Sequence, residues 1–427
     1  MSNKKLISCG IDFGTTNTSA AINDNIFPPL LVNVEKEDTS IPSTIFFPAK
    51  KGKISFGKDA LDKYMKGETG RFMRSLKRVL GTNLMNAGTR INDSSIKFDK
   101  ILTYFLQNIK DKIDVKAKQQ VENVVMGRPV HFRDNDEKGD AQAESELRQI
   151  AKNVGFKNIE FQYEPIAAAF AHEAKIEEEK LACVIDIGGG TSDFSIIKVG
   201  SSLSRKLDRK DDILANTGVR IGGNDFDKNL SLKTFMPEFG MGSTYGGRFE
   251  NDKLLTVPNS PFFDLSEWSS INSLYNYKIV NMVENILLSS NDPKRYGRLL
   301  EIIESEQGHK LLNEVENTKI GLTKEENVKT ILNFLKDSPI VLSNRLSFEE
   351  AIENSMEKVS NSVKECIKQA GIKDKDVRLI VLTGGSTEIP NVKNTLCSYF
   401  PNAELSEEDK FSSVGLGLAY DSARRFN

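Results

Sequence analysis

Asp12 and Asp186 each end an apolar run, and each is followed at once by a small polar turn: ISCGIDFGTTNTSAAI at 7–22 and LACVIDIGGGTSDFSII at 181–197. Aligned on the aspartates, the stretches repeat one pattern: a β-branched run, the carboxylate, a tight Gly/Thr turn, then apolar residues again. Glycine has no Cβ, so at Gly14, Gly188, Gly189 and Gly190 backbone amides can come close to a ligand. Successive N–H groups make an anion-binding nest, and Thr15, Thr16 and Thr191 add hydroxyl donors. A carboxylate beside such a nest would repel phosphate unless a hydrated Mg2+ lay between them, an ion that prefers carboxylate and phosphate oxygens and keeps several waters. One D-x-G-T-T turn alone is most simply a hairpin. Two matched copies point to a clasp on a metal–phosphate group, with Asp12 and Asp186 facing the metal through water.

Two further glycine turns extend the pattern. VRLIVLTGGSTEIP at 377–390 reads as a buried strand, the turn Gly384-Gly385-Ser386, and a helix start with Thr387 and Glu388 in its first turn. A helix N-terminus after such a turn carries partial positive charge and can cradle a phosphate. RIGGNDFD at 220–227 places Gly222 and Gly223 ahead of an amphipathic helix. The elements that must position these turns are strand–turn–strand units, one near the start of the chain and one near its middle, which implies two related lobes.

Composition narrows the class. A chain of 427 residues holds two or three domain-sized units. Apolar content of 38% with 28% charged residues describes an ordinary globular protein. A net charge of −2 argues against nucleic acid as a partner, because phosphate neutralisation needs clustered excess Lys and Arg. No run approaches the ~18 apolar residues of a membrane span. The opening MSNKKLISCGID lacks the apolar core of a signal peptide, so the expected location is cytoplasmic. Cys9, Cys183, Cys366 and Cys397 have no CxxC spacing, and His131, His172 and His309 share no metal-ligand spacing. The cysteines read as small buried hydrophobes.

The order of motifs resembles the actin-like ATPase superfamily and, within it, the DnaK-type heat shock protein 70 family. The residues that carry the resemblance are IDFGTTN at 11–17, SLKRVLG at 75–81, YEPIAAA at 163–169, IDIGGGTSD at 185–193, GGNDFD at 222–227, VENTKIGLT at 315–323 and LTGGSTEIP at 382–390. GRPV at 127–130 and VPNSPFFDLSEW at 257–268 are similar to the YegD-like branch of shorter chaperone homologues. The resemblance implies an α/β fold of two lobes, each with a ribonuclease-H-like mixed sheet, and ATP or ADP with Mg2+ in a cleft between them. It makes Asp12, Gly14, Thr15, Thr16 and Asn17 the first phosphate loop, and Asp186, Gly188, Gly189, Gly190 and Thr191 the second. Gly222, Gly223, Gly384, Gly385 and Ser386 join the nucleotide site by the same correspondence. Lys77 resembles the lysine that reaches the γ-phosphate; by its spacing alone, beside Arg78, it reads as a solvated helix face. Glu164 resembles the carboxylate that positions attacking water. Glu316, Lys319 and Thr323, on one helix face at i, i+3 and i+7, match the adenosine-contacting helix.

The departures are specific too. Ile320 stands where the family presents an arginine stacked on adenine, which removes a cation–π contact of about 1 kcal/mol. Phe411 occupies the place of an aspartate in the last hinge motif. The family's apolar linker and β-sandwich peptide-binding domain are not in this sequence, so client clamping by that domain in cis is not expected. Following the superfamily, lobe I takes residues 1–180, with 41–118 as an outer subdomain and the helix 404–427 returning to it. Lobe II takes 181–403, with 231–339 as its outer subdomain. Pro and Gly density argues for loops in FMPEFGMGSTYGGRF at 235–249. Trp268, Phe262 and Phe263 read as a local core, and AHEAKIEEEK at 171–180 as a helix end followed by a solvated charge run.

These features imply an ATP-binding, slowly hydrolysing, chaperone-like protein in which Mg-ATP drives a hinge movement read by protein partners or co-chaperones. Two other readings remain: a small-molecule kinase of the sugar type on the same fold, and a non-catalytic actin-like nucleotide-binding scaffold.

Overall fold

The strand Ser8–Phe13 is buried along its whole length except at Asp12, and its partner Asn17–Asn23 is buried after its first residue. Both faces are covered, so these apolar runs sit inside a layered α/β structure and do not form the half-exposed strands that strict alternation would make. The computed structural model describes residues 7–26, 28–50, 52–91, 94–133, 136–173, 176, 178–203, 206–246, 253–406 and 413–426. Phe411 and residues 247–249 of the glycine-rich patch lie outside them.

Two mixed sheets repeat one topology. The first runs Asn158–Tyr163, Asn123–Arg128, Ser8–Phe13, Asn17–Asn23, Leu30–Leu31, with Ser40–Pro42 also paired to Asn17–Asn23. The second runs Ile213–Val219, Ser192–Val199, Lys180–Ile187, Val377–Thr383, Glu404–Leu405. In each, the first hairpin strand is central, antiparallel to its hairpin partner and parallel to the strand on its other side. The register sets Asp12 opposite Ser19 and Asp186 opposite Asp193. The repeat seen in the sequence is therefore a repeat of sheet topology.

Two helices join these sheets. The linking helix Glu164–Glu173 and the C-terminal helix Ser413–Arg425 share a core with Val125 of the first sheet and Ala182, Val184, Ile197 and Val381 of the second. Their approach is close. A Cβ at Gly417 would overlap the Ala167 carbonyl, and one at Gly10 would overlap the backbone of Leu418 and Ala419. A separate core behind the first sheet is filled by the helices Phe98–Ala117 and Glu137–Asn153.

The chain divides into two compact units, residues 1–219 with 362–387 and 396–427, and residues 220–361 with 388–395. Both five-membered strand paths belong to the first. In the second, the helix Gly223–Leu230 continues through a π turn at Ser231–Phe235 and a 3-10 turn at Met236–Phe239. Phe235, Met236 and Phe239 are buried there, so the loops expected from Pro and Gly content give way to helical turns held by apolar side chains. Phe262 is buried, whereas Phe263 is exposed and lies outside the expected aromatic core; the Trp268 ring is 4.8 Å from that of His309. The helix Gly308–Lys324 and the hairpin Asn327–Ile331 with Ile340–Asn344 complete this unit. Among the described residues no helix is long and apolar enough to cross a membrane.

Candidate active site

The two hairpin turns are small enough to touch. At Gly189 a Cβ would stand 2.5 Å from Thr16 Oγ1, so only a glycine lets the second turn meet the first. Within the second turn, Gly188 N donates to the Thr191 carbonyl at 3.0 Å, and Gly190 has open space where a side chain would begin. Thr191 is exposed and Thr15 half-buried; Asn17 is exposed at the start of its strand. The first turn is propped from outside, because Ser43 Oγ donates to the Gly14 carbonyl at 2.8 Å and lies 2.9 Å from Thr18 Oγ1.

The third turn lies against the second hairpin. Gly384 has φ +81, in the left-handed region, and a Cβ there would stand 2.7 Å from Asp186 Oδ1. Ser386 Oγ donates to the Gly188 carbonyl at 3.4 Å, and Gly385 is exposed between them. The helix expected to start at Thr387 starts instead at Pro390, and Gly385–Glu388 is a 3-10 turn. Thr387 draws the chain back by donating from both N and Oγ1 to the Gly384 carbonyl, at 3.2 and 2.7 Å.

Lys77 is placed by a short 3-10 turn, Leu76–Val79, entered through Ser75 at φ +57. Leu76 is buried and anchors the turn, and Lys77 Nζ donates to Glu164 Oε1 at 2.7 Å. Glu164 opens the linking helix and packs beside Gly127, where a Cβ would stand 3.2 Å from its Cγ. The lysine that spacing alone reads as solvated is thus mostly buried.

Asp12, Glu164 and Asp186 act on this one ammonium. Burial pushes Asp12 up to about 7, Glu164 adds to the rise and Lys77 opposes it. Burial raises Asp186 well above the carboxylate range, with Asp193, Glu164 and Asp12 contributing further. Burial depresses Lys77, but the Glu164, Asp12 and Asp186 carboxylates outweigh it and hold the proton more firmly than on a free lysine. Carboxyls that resist ionisation around one lysine mark a site short of positive charge. That is the electrostatic fit of a bound cation. Among the described residues no three His, Cys, Asp or Glu side chains converge as direct metal ligands.

Gly222, Gly223, Glu316, Lys319 and Thr323 belong to the second unit and are tied together there. Gly222 caps the helix that begins at Gly223, and its N–H donates to Asp225 Oδ2 at 2.9 Å. Lys319 is buried, 2.8 Å from Asp227, and also donates to the Gly223 carbonyl at 3.3 Å. Thr323 Oγ1 donates to the Ile320 carbonyl, and Glu316, two turns before Thr323, is half-buried. Ser43 and Asp193 are the site residues that sequence reasoning missed. Only the register, Asp193 opposite Asp186, brings the latter into view.

Comparison with known proteins matches residues 8–254 and 290–421 to the family described as Hsp70 protein. Chaperone protein DnaK from Thermosipho melanesiensis is 25% identical over 437 residues, covering 99% of this chain and 60% of the relative. Chaperone protein DnaK from Thermosipho africanus gives the same identity and coverage, and that from Mycoplasmopsis agalactiae is 25% identical over 98% of this chain and 59% of the relative. The chain thus spans about 60% of the length of these relatives. Matched over most of its length, and built on two sheets of one repeated topology, the chain belongs to the Hsp70 family and has its α/β actin-like ATPase fold.

Proposed function

We propose that this chain binds ATP with Mg2+ and hydrolyses it slowly, as a chaperone-like nucleotide switch. The observation that carries the reading is the gathering of Asp12, Lys77, Glu164 and Asp186 beside two glycine–threonine turns that meet at Thr16 and Gly189. The amides and hydroxyls of 14–17 and 188–191 would take the phosphate oxygens, and Gly384, Gly385 and Ser386 would continue the cradle. Asp12 and Asp186 would hold a hydrated Mg2+ through water; when bound, the ion supplies the positive charge that the phosphates and carboxylates lack. Phosphoryl transfer asks mainly for positioning and neutralisation. Lys77 would turn from Glu164 to the γ-phosphate, and Glu164 with Asp186 would orient the attacking water.

Adenosine would be held by Glu316, Lys319 and Thr323 with Gly222 and Gly223. Hydrolysis would be read as a hinge movement of lobes 1–180 with 404–427 and 181–403, about the linking and C-terminal helices that share a core with both sheets. Protein partners would sense that movement, as the name of the DnaK relatives suggests. A second reading, a non-catalytic nucleotide-binding scaffold, is favoured by one observation: Ile320 is 52% exposed and offers adenine no cation.

The test is ADP formation by the wild type, Asp12→Asn and Lys77→Ala. Each substitution should lower turnover at least about a hundredfold, the low end of what a lost charge-stabilising group costs in such sites. Unchanged turnover in both variants would remove the phosphate-site assignment, and ATP binding without turnover in the wild type would select the scaffold.

A further inference from the structure

Glu173 is the last residue of the linking helix, just before the charge run, and it is 1% exposed. Its carboxylate takes two parallel bonds from Arg209, Nη1 to Oε2 at 3.0 Å and Nη2 to Oε1 at 2.7 Å. Arg209 is also 1% exposed; its Nε donates to Asp212 Oδ2, and Nη2 donates further to the Lys198 carbonyl at 3.2 Å. The guanidinium stands 5.5 Å from the centre of the Phe170 ring, and Arg424 stands 4.9 Å from the same ring.

Stability alone is a weak reason for such a cluster. Desolvation cancels much of the attraction in a buried ion pair, and apolar residues of similar volume often do as well. What a planar two-pronged bond supplies is one geometry, fixed in both translation and rotation. The linking helix needs that. Its buried residues are Ile166, Ala167, Ala168, Ala169 and Phe170, and the three alanines among them make only shallow ridges against their neighbours. Glu173 is its last residue and Glu164 its first, about 14 Å away at a rise of 1.5 Å per residue. Arg209 comes from the connection between Ser192–Val199 and Ile213–Val219 of the second sheet, so it ties that sheet to the helix carrying the partner of Lys77.

We propose that the Glu173–Arg209–Asp212 cluster is a positioning device: it locks the linking helix in register so that Glu164 sits in the geometry needed for hydrolysis. Arg209 is a positioning residue, acting through Glu164. The inference rests on the ATPase reading above.

The test is a double-mutant cycle on the full chain, with single-turnover ATP hydrolysis, ATP affinity by calorimetry, and assays run below the melting temperature of every variant. Arg209→Lys keeps the charge and loses the planar fork; Glu173→Gln keeps the shape and loses the charge. Each should slow hydrolysis about tenfold, since a displacement of about 1 Å at a catalytic group can cost up to about a hundredfold. ATP affinity should change little. In a Glu164→Gln background neither substitution should slow hydrolysis further, because the residue it positions has lost its function. Equal fold losses in both backgrounds overturn the inference, as do unchanged rates in the wild-type background. A wild type that does not hydrolyse ATP overturns the ATPase reading and this inference with it, whereas a hydrolysing wild type that Glu164→Gln does not slow overturns this inference alone. If Arg209→Lys does not fold, Glu173→Gln completes the cycle alone.

Discussion

Lys77 Nζ lies 2.7 Å from Glu164 Oε1 across 87 positions of sequence, with Asp12 and Asp186 near enough to help hold its proton. Replacing Lys77 by Met leaves these carboxyls without their cation. Breaking a fully buried pair costs roughly 3–5 kcal/mol. Lys77 and Glu164 keep some exposure, so a loss of about 1–3 kcal/mol is expected in the nucleotide-free protein. Denaturant unfolding of wild type and variant measures it, and equal stability would show that the pair contributes nothing.

The same carboxyls make stability depend on pH. Folded Asp12 keeps its proton up to about 7, whereas the unfolded chain releases it near 3.8. Between those values the folded state binds more protons, so stability falls as pH rises. The contribution is fully present below the unfolded value and lost as pH passes through about 7; Asp186 acts in the same direction. The melting temperature without nucleotide should fall between about pH 5 and pH 8, and Asp12→Asn should flatten the decline and be most stabilising at the alkaline end. A slope that Asp12→Asn leaves unchanged would contradict this.

Two glycine-to-alanine changes should separate folding from binding. Gly417→Ala drives a methyl into the Ala167 carbonyl and should cost about 1–3 kcal/mol or more. Gly190→Ala meets open space, so its melting temperature should stay near that of the wild type, while on the proposed function its methyl should enter the phosphate nest and weaken ATP binding. Thermal melts paired with nucleotide titrations check both, and a stable Gly417→Ala protein would refute the close approach of the two helices.

The parts legible in sequence are those with local signals. The hairpins announce themselves by apolar runs ending in an aspartate and a glycine turn, and both form as read. The partnership of Lys77 with Glu164 has no local signal, because sheet order and helix docking bring them together; family resemblance assigned each a role at one site without pairing them. The pairing of Glu173 with Arg209 has no local signal either, because Arg209 arrives from another element 36 positions away. The helix expected at Thr387 begins only at Pro390, because a proline disfavours helical backbone at the residue before it, and Gly385–Glu388 closes as a 3-10 turn instead.

Lys319, matched by resemblance to an adenosine contact, has a structural partner in Asp227. Lys319→Met should therefore destabilise the protein even without nucleotide, by up to about 3–5 kcal/mol for an uncompensated buried carboxylate. Unfolding measured in nucleotide-free buffer decides this, and stability equal to wild type would assign the lysine to the ligand alone.

On the proposed function, Asp12, Asp186, Lys77 and Glu164 at the touching turns form a Mg-dependent nucleotide site, and calorimetric titration of ATP into the nucleotide-free chain tests that most directly. Saturable one-to-one binding below millimolar ATP, weakened by chelating Mg2+ and by Asp12→Asn, is the expected result. A titration that stays flat at millimolar Mg-ATP would contradict it.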